Sequence, residues 1–161
     1  MHEHWYVACR SKQLGRSPIE RVVLGEQLVL FRMQDGEVGA LANRCAHRNL
    51  ALSRGKVMAD GLSCAYHGWT YDPSGACVRV PAACDGCSAP GRPRVRSYPV
   101  REKQGLVWVY LSAKGEEPEG EPMDFPYHGQ SRWQYWFMER VFEGDAFNCA
   151  ENFLDCPHTN H

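Results

Sequence analysis

Arg44-Cys45-Ala46-His47-Arg48 and, with sixteen residues between His47 and Cys64, Cys64-Ala65-Tyr66-His67 decide how this chain reads. Each stretch offers one thiolate and one imidazole, and that ligand set is the set of an iron-sulfur site. Two ferric ions, two sulfides, two thiolates and two neutral imidazoles sum to zero charge, whereas four thiolates would leave two net negative charges. The neutral assembly accepts an electron more readily. Centres with both histidines on one iron and both cysteines on the other therefore lie at roughly -150 to +300 mV, above all-thiolate plant-type clusters. Zinc is the competing metal, but zinc fingers usually place a cysteine pair in one loop and a histidine pair in another. This chain interleaves them. A zinc-binding interaction module predicts a colourless protein, and an iron-sulfur site a red-brown one.

Read outward, Arg44-Cys45-Ala46-His47-Arg48 and Cys64-Ala65-Tyr66-His67-Gly68-Trp69-Thr70-Tyr71-Asp72 resemble the cluster loops of Rieske-type oxygenases. Trp5-Tyr6-Val7-Ala8, Asp72-Pro73-Ser74-Gly75, Tyr98-Pro99-Val100 and Gly105-Leu106-Val107-Trp108 extend the resemblance over nearly the whole chain. It implies a Rieske 2Fe-2S cluster held by Cys45, His47, Cys64 and His67. Respiratory-chain Rieske proteins carry a further cysteine in each loop, joined as a disulfide. Leu50 and Tyr66 occupy those positions here, so the resemblance implies the low-potential end of the range and electrons delivered by an NAD(P)H-dependent reductase or ferredoxin.

Composition fits a soluble protein: 43% hydrophobic, 23% charged, with 18 basic and 19 acidic residues for a net charge of -1. That balance gives no electrostatic case for nucleic acid. The start, Met1-His2-Glu3-His4, has no basic segment followed by an apolar one, and Leu106 to Leu111 is far too short to span a bilayer. The expectation is a cytoplasmic protein without membrane attachment.

Short alternating or β-branched runs separated by turn signals predict an all-β, antiparallel first domain over 1–115. Candidate strands are Arg21 to Leu24, Gln27 to Arg32, Val38 to Ala42, Trp69 to Tyr71, Cys77 to Val80 and Leu106 to Leu111. Asp35-Gly36 and Asp72-Pro73-Ser74-Gly75 serve as hairpin turns. By resemblance this is a Rieske-type β-sandwich, a small three-sheet body with the cluster loops at its tip. The breaker-rich acidic stretch around Glu116-Glu117-Pro118-Glu119-Gly120 reads as a linker over 116–131. Residues 132–161 then begin an α+β domain. Trp133 to Phe142 carries aromatics on both faces of any strand and so predicts a strand covered on both sides.

Asp145 can cap a helix running through Phe147, Ala150, Phe153 and Leu154. After it, Asn152-Phe153-Leu154-Asp155-Cys156-Pro157-His158 resembles the start of the mononuclear iron motif of Rieske non-heme iron oxygenases. His158 falls on an iron-ligand position. The second histidine would fall two positions beyond His161, which is either a shifted ligand or an ordinary neighbour of one. The distant carboxylate that completes a facial triad has no candidate, so the expectation is a catalytic domain cut short. By resemblance Asp155 bridges the two metal centres across a subunit boundary, facing His67 of the next subunit. The intact enzyme would be a homotrimer of the monooxygenase or O-demethylase branch, acting on a small organic substrate. A stand-alone Rieske-type ferredoxin is the alternative, but a carrier has no reason to possess the Asn152–His158 motif.

Eight cysteines in 161 residues fall short of a disulfide scaffold. Cys84-Asp85-Gly86-Cys87, with Cys77 upstream, reads as an irregular loop, with a zinc or redox pair as the sharper alternative. Cys9, Cys149 and Cys156 read as free thiols. Arg44, Arg48, Arg54 and Lys56 surround the first ligand loop with no acid between them. They form either a docking face for an acidic electron donor or a solvated face that compensates the reduced cluster.

Overall fold

A computed structural model describes residues 3–81, 93–113, 115 and 117–154. Cys84, Cys87, Asp155, Cys156, His158 and His161 lie outside the described residues. The chain divides into two compact units, Met1–Phe125 and Pro126–His161. The expected linker over 116–131 straddles that division.

Among the described residues, the first unit is built of strands apart from short 3-10 turns. In chain order they are β1 (His4–Arg10), β2 (Ile19–Val23), β3 (Glu26–Arg32), β4 (Val38–Ala42), β5 (Lys56–Met58), β6 (Gly61–Ser63), β7 (Thr70–Tyr71), β8 (Cys77–Arg79), β9 (Val100–Lys103) and β10 (Leu106–Leu111). They form three antiparallel sheets, ordered β1-β10-β9, β2-β3-β4 and β5-β6-β7-β8. The all-β expectation holds.

The β3 strand explains how three sheets share one body. Alternate residues of a strand face opposite sides. Leu28 and Leu30 enter one core with Ala8, Ala40, Val107, Val109 and Leu111, while Val29 and Phe31 enter a second with Leu41, Cys45, Leu52, Leu62, Cys64 and Tyr71. A sheet buried on both faces needs apolar residues at successive positions, which is why Leu28 to Phe31 runs unbroken. At Phe31↔Gly39 the β3–β4 ladder admits no side chain opposite the ring, because a Cβ on residue 39 would lie 2.4 Å from the Phe31 ring. Both cysteines singled out from the sequence, Cys45 and Cys64, thus belong to the second core.

Two turns expected from sequence connect neighbouring strands. Met33 N–H donates to Glu37 O across Asp35-Gly36 (2.8 Å). Asp72 Oδ1 accepts from Ser74 Oγ (2.6 Å) and Ala76 N–H (3.1 Å), which closes the β7–β8 turn. Residues 117–125 strap the outer face of the first sheet: the Trp5 indole N–H donates to Gly120 O (2.9 Å) and Lys103 Nζ to Pro122 O (2.7 Å).

In the second unit, α1 (Ala146–Leu154) starts where expected, with Asp145 Oδ1 accepting from the N–H groups of Phe147 and Asn148 at 2.9 Å each. Such a cap satisfies two of the donors that a helix start leaves open. The strand expected over Trp133 to Phe142 does not form. A strand exists only through its ladder, and among the described residues no segment pairs with this one. Its aromatic density reports a need for cover, with Trp136 82% and Val141 94% exposed, rather than a secondary structure.

Candidate metal centre

The two ligand loops leave the β-sheets at neighbouring points. Asn43, at the end of β4, is buried and grips Ser53 twice: Asn43 Oδ1 accepts from Ser53 N–H (2.8 Å) and Nδ2 donates to Ser53 Oγ (3.1 Å). That clasp closes the first loop at its base. The second loop joins β6 to β7 next to the Ser63↔Thr70 pair, so the ladder itself closes it.

Within the loops the backbone repeats one pattern. Cys45 N–H donates to Leu50 O (2.9 Å) and Cys45 O accepts from Asn49 N–H (2.8 Å). Cys64 N–H donates to Trp69 O (2.8 Å) and Cys64 O accepts from Gly68 N–H (3.0 Å). The residue four after each cysteine turns left-handed, Asn49 at φ +58° and Gly68 at φ +68°. Asparagine and glycine are the residues that tolerate this region best. At residue 68 a side chain would also collide with Pro81, 2.8 Å away.

These turns sort the donors by depth. Cys45 and Cys64 are 2% and 4% exposed, whereas His47 and His67 stand at the surface with ring centroids 4.7 Å apart. All four border one recess together with Arg48, Leu50, Tyr66 and Trp69. The structure therefore brings together the four residues selected from sequence.

Two further side chains, whose roles sequence reasoning missed, complete the arrangement. The fully buried Tyr71 hydroxyl accepts from Ala46 N–H (3.2 Å) and lies 3.3 Å from Cys45 Sγ, toward which its own proton is free to point. Trp69 stacks on His47 with centroids 4.6 Å apart and planes 5° from parallel. Both residues sat within the sequence motif; only the fold shows which atoms they reach.

The electrostatics follow from burial. Loss of water pushes the Cys64 thiol above its ordinary value, and the adjoining Cys45 sulfur adds to the rise. Burial beside Cys45 likewise pushes the Tyr71 phenol far up, which keeps it a proton donor at working pH. His47 titrates below its ordinary value because local desolvation and the neighbouring His67 and Arg48 oppose its cation. Two paired sulfurs in a core and two imidazoles outside them suit a metal group that supplies positive charge. Among the described residues no three His, Cys, Asp or Glu side chains form a single-ion cage. A two-iron cluster requires none, since each iron takes two protein ligands and fills its other positions with sulfide.

The profile of the Rieske [2Fe-2S] domain matches residues 4–99, a span that contains both loops and most of the three sheets. The chain belongs to this family. A Rieske domain carries a 2Fe-2S cluster, and the donor set described above fits that group. The oxygenase subunit of 3-chlorobenzoate-3,4-dioxygenase from Comamonas testosteroni is 41% identical over 121 residues, covering 74% of this chain and 28% of that protein. Among solved structures, Pseudomonas putida CBB5 NdmA QL mutant with theobromine superposes with a TM-score of 0.85 at 32% identity, covering 97% of this chain and 48% of that one. Dicamba monooxygenase bound to dicamba gives 0.68 at 35% identity, over 76% and 36%. This Rieske chain spans less than half the length of each of these relatives.

Around the Rieske loops, Arg44, Arg48, Arg54 and Lys56 are all exposed. Arg44 Nε donates to Asn49 Oδ1 (2.7 Å), and among the described residues none of the four forms an ion pair. Cys45, Cys64, Cys77 and Cys149 are free thiols. No helix among the described residues is long and apolar enough to cross a membrane.

Proposed function

We propose that this chain is the electron-entry part of the oxygenase component of a Rieske non-heme iron oxygenase, with Cys45, His47, Cys64 and His67 as the ligands of its 2Fe-2S cluster. One observation carries the reading: two loops of matching hydrogen-bond pattern set both cysteines in the core and both histidines at the surface. When bound, the cluster stores one electron. The protein's part is to exclude water from the sulfur side and to present the imidazole side outward, where electrons can enter and leave over a short distance.

In a protein as long as the relatives, electrons would go on to a mononuclear iron that takes His158 as a ligand and activates dioxygen. Asp155 of one subunit would bridge to His67 of the next in a homotrimer. The relatives named for chlorobenzoate and dicamba support a small aromatic substrate, hydroxylated or demethylated, and Asn152-x-x-Asp155-x-x-His158 supports the iron assignment over a stand-alone carrier. The donor would be a cytoplasmic NAD(P)H-dependent reductase or ferredoxin, docking through Arg44, Arg48, Arg54 and Lys56.

Cysteine replacement tests the ligand assignment. Cys45→Ser or Cys64→Ser should abolish the red-brown colour and the cluster's low-temperature EPR signal; an unchanged spectrum in either variant overturns it. In a full-length protein, Asp155→Asn should keep the cluster spectrum yet slow oxidation of the reduced cluster by the mononuclear site. Wild-type single-turnover kinetics in that variant would remove the bridge.

A further inference from the structure

No covalent bond joins the two ligand loops: both cysteines are free thiols, and Leu50 and Tyr66 carry no group that could form one. The loops nonetheless differ in how they are closed. The second is a six-residue hairpin connection between paired strands, with Ser63 Oγ (3.3 Å) and Thr70 Oγ1 (3.1 Å) both donating to Gly68 O. The first is longer: Asn43 and Ser53 close its base, and above that its backbone is held by the Cys45–Leu50 and Cys45–Asn49 bonds and by Ala46 N–H donating to the Tyr71 hydroxyl. Its outermost donor, His47, is exposed and makes no hydrogen bond through its ring among the described residues. Left to itself, such an imidazole would populate several χ1 and χ2 rotamers.

We infer that Trp69 is a positioning residue for His47, a side chain of the second loop that fixes the ring orientation of the first loop's histidine. The near-parallel stack at 4.6 Å lays the indole against one face of the imidazole, so rotation about χ2 would carry the ring edge into the indole. Trp69 can serve as a wall because it is itself held. Its carbonyl accepts from Cys64 N–H (2.8 Å), its indole packs against the second core, and the preceding Gly68 is fixed by its left-handed turn beside Pro81. No indole stacks on His67, whose ring contacts are with Tyr66 of its own loop and with the His47 ring across the gap. The two histidines are therefore oriented by different means. This inference rests on the reading of His47 as a cluster ligand.

The holo chain carrying Trp69→Leu, which keeps apolar volume without a ring, tests it against Trp69→Phe, which keeps a stacking face. Aromatic pairing of ordinary strength corresponds to roughly a twofold to tenfold change in an equilibrium or rate. Trp69→Leu should speed the bleaching of the cluster's visible absorbance under mild chelation by that factor. It should also broaden the imidazole-nitrogen couplings in the pulsed-EPR spectrum of the reduced cluster, as one histidine samples several orientations. Trp69→Phe should restore both readouts. Wild-type bleaching and couplings in Trp69→Leu, or a Trp69→Phe protein as impaired as Trp69→Leu, overturns the inference. If Trp69→Leu does not fold, Trp69→Phe against wild type decides alone: unbroadened couplings support the stack, and couplings as broad as those of a disordered ligand exclude it. A wild-type chain that takes up no cluster defeats the ligand reading itself, an outcome distinct from a loaded cluster indifferent to residue 69.

Discussion

Tyr71 shows how a single hydroxyl can bear on electron affinity. It accepts from Ala46 N–H, so its own proton is available to Cys45 Sγ, 3.3 Å away. A hydrogen bond to sulfur stabilises the reduced, more negative form of a cluster and raises its potential. Tyr71→Phe removes the donor and keeps the buried ring. With a hydrogen bond worth about 0.5–1.5 kcal/mol and 59 mV per tenfold change in a one-electron couple, the midpoint should fall by roughly 20–65 mV. Protein-film voltammetry measures this directly, and an unmoved midpoint shows that the phenol proton points elsewhere. At this scale the sequence was informative about donors and silent about their neighbours. Cys45, His47, Cys64 and His67 announce themselves by residue type and spacing. Tyr71 and Trp69 do not, because an aromatic residue two places along a strand from another is ordinary, and what each one touches lies in the other loop.

Among the elements, the β7–β8 turn couples the second loop to the rest of the fold. Gly75 sits at φ +81°, donates its N–H to Asp72 O (2.9 Å) and accepts from Val95 N–H (2.9 Å). A Cβ there would fall 2.0 Å from Val95 O, a backbone atom that cannot step aside. Gly75→Ala should therefore cost about 2 kcal/mol or more and lower the melting temperature by several degrees. Calorimetry of the variant checks it; a loss under one degree would mean that the turn relaxes without strain. Strong local signals made some elements readable. Val38–Ala42 and Leu106–Leu111 match their expected spans, and the Asp35-Gly36 and Asp72–Gly75 turns connect the expected strands. The strands β5, β6 and β9 escaped notice because three or four residues, such as Lys56-Val57-Met58 or Val100-Arg101-Glu102-Lys103, are too few or too polar to show a period. At 133–142 the reading erred the other way, since apolar density measures demand for burial and pairing depends on a neighbour.

For the whole first unit, electrostatics make two predictions. Arg32 of β3 grips Glu102 of β9 with two bonds, at 2.8 and 2.9 Å, and so ties one sheet to another. The guanidinium's hydrogen bonds hold the Glu102 carboxyl below its ordinary value of 4.5. A lowered folded value means stability fully present above that ordinary value and lost as pH falls through the lowered one. Glu102→Gln should thus lose a modest amount at pH 7, under about 1 kcal/mol because the pair is partly exposed, and converge with wild type in acid. Urea titrations across pH 3 to 7 would reveal a parallel offset instead if the pair contributed nothing through charge. The exposed Arg44, Arg48, Arg54 and Lys56, without ion pairs among the described residues, predict in turn that electron delivery by an acidic donor slows steeply as ionic strength rises. A flat response would assign those charges to solvation alone. Finally, β1 lies against β10, with His4 opposite Leu111, and Glu3 Oε1 accepts from Ala113 N–H (3.0 Å). During synthesis the first strand must therefore wait, its edge open, until residues 106–113 have left the ribosome, and closing so long a loop makes this the slow and aggregation-exposed step of folding. Circular permutation of the first unit, joining residue 113 to residue 3 and opening it elsewhere, would shorten that wait without altering a single contact at the cluster.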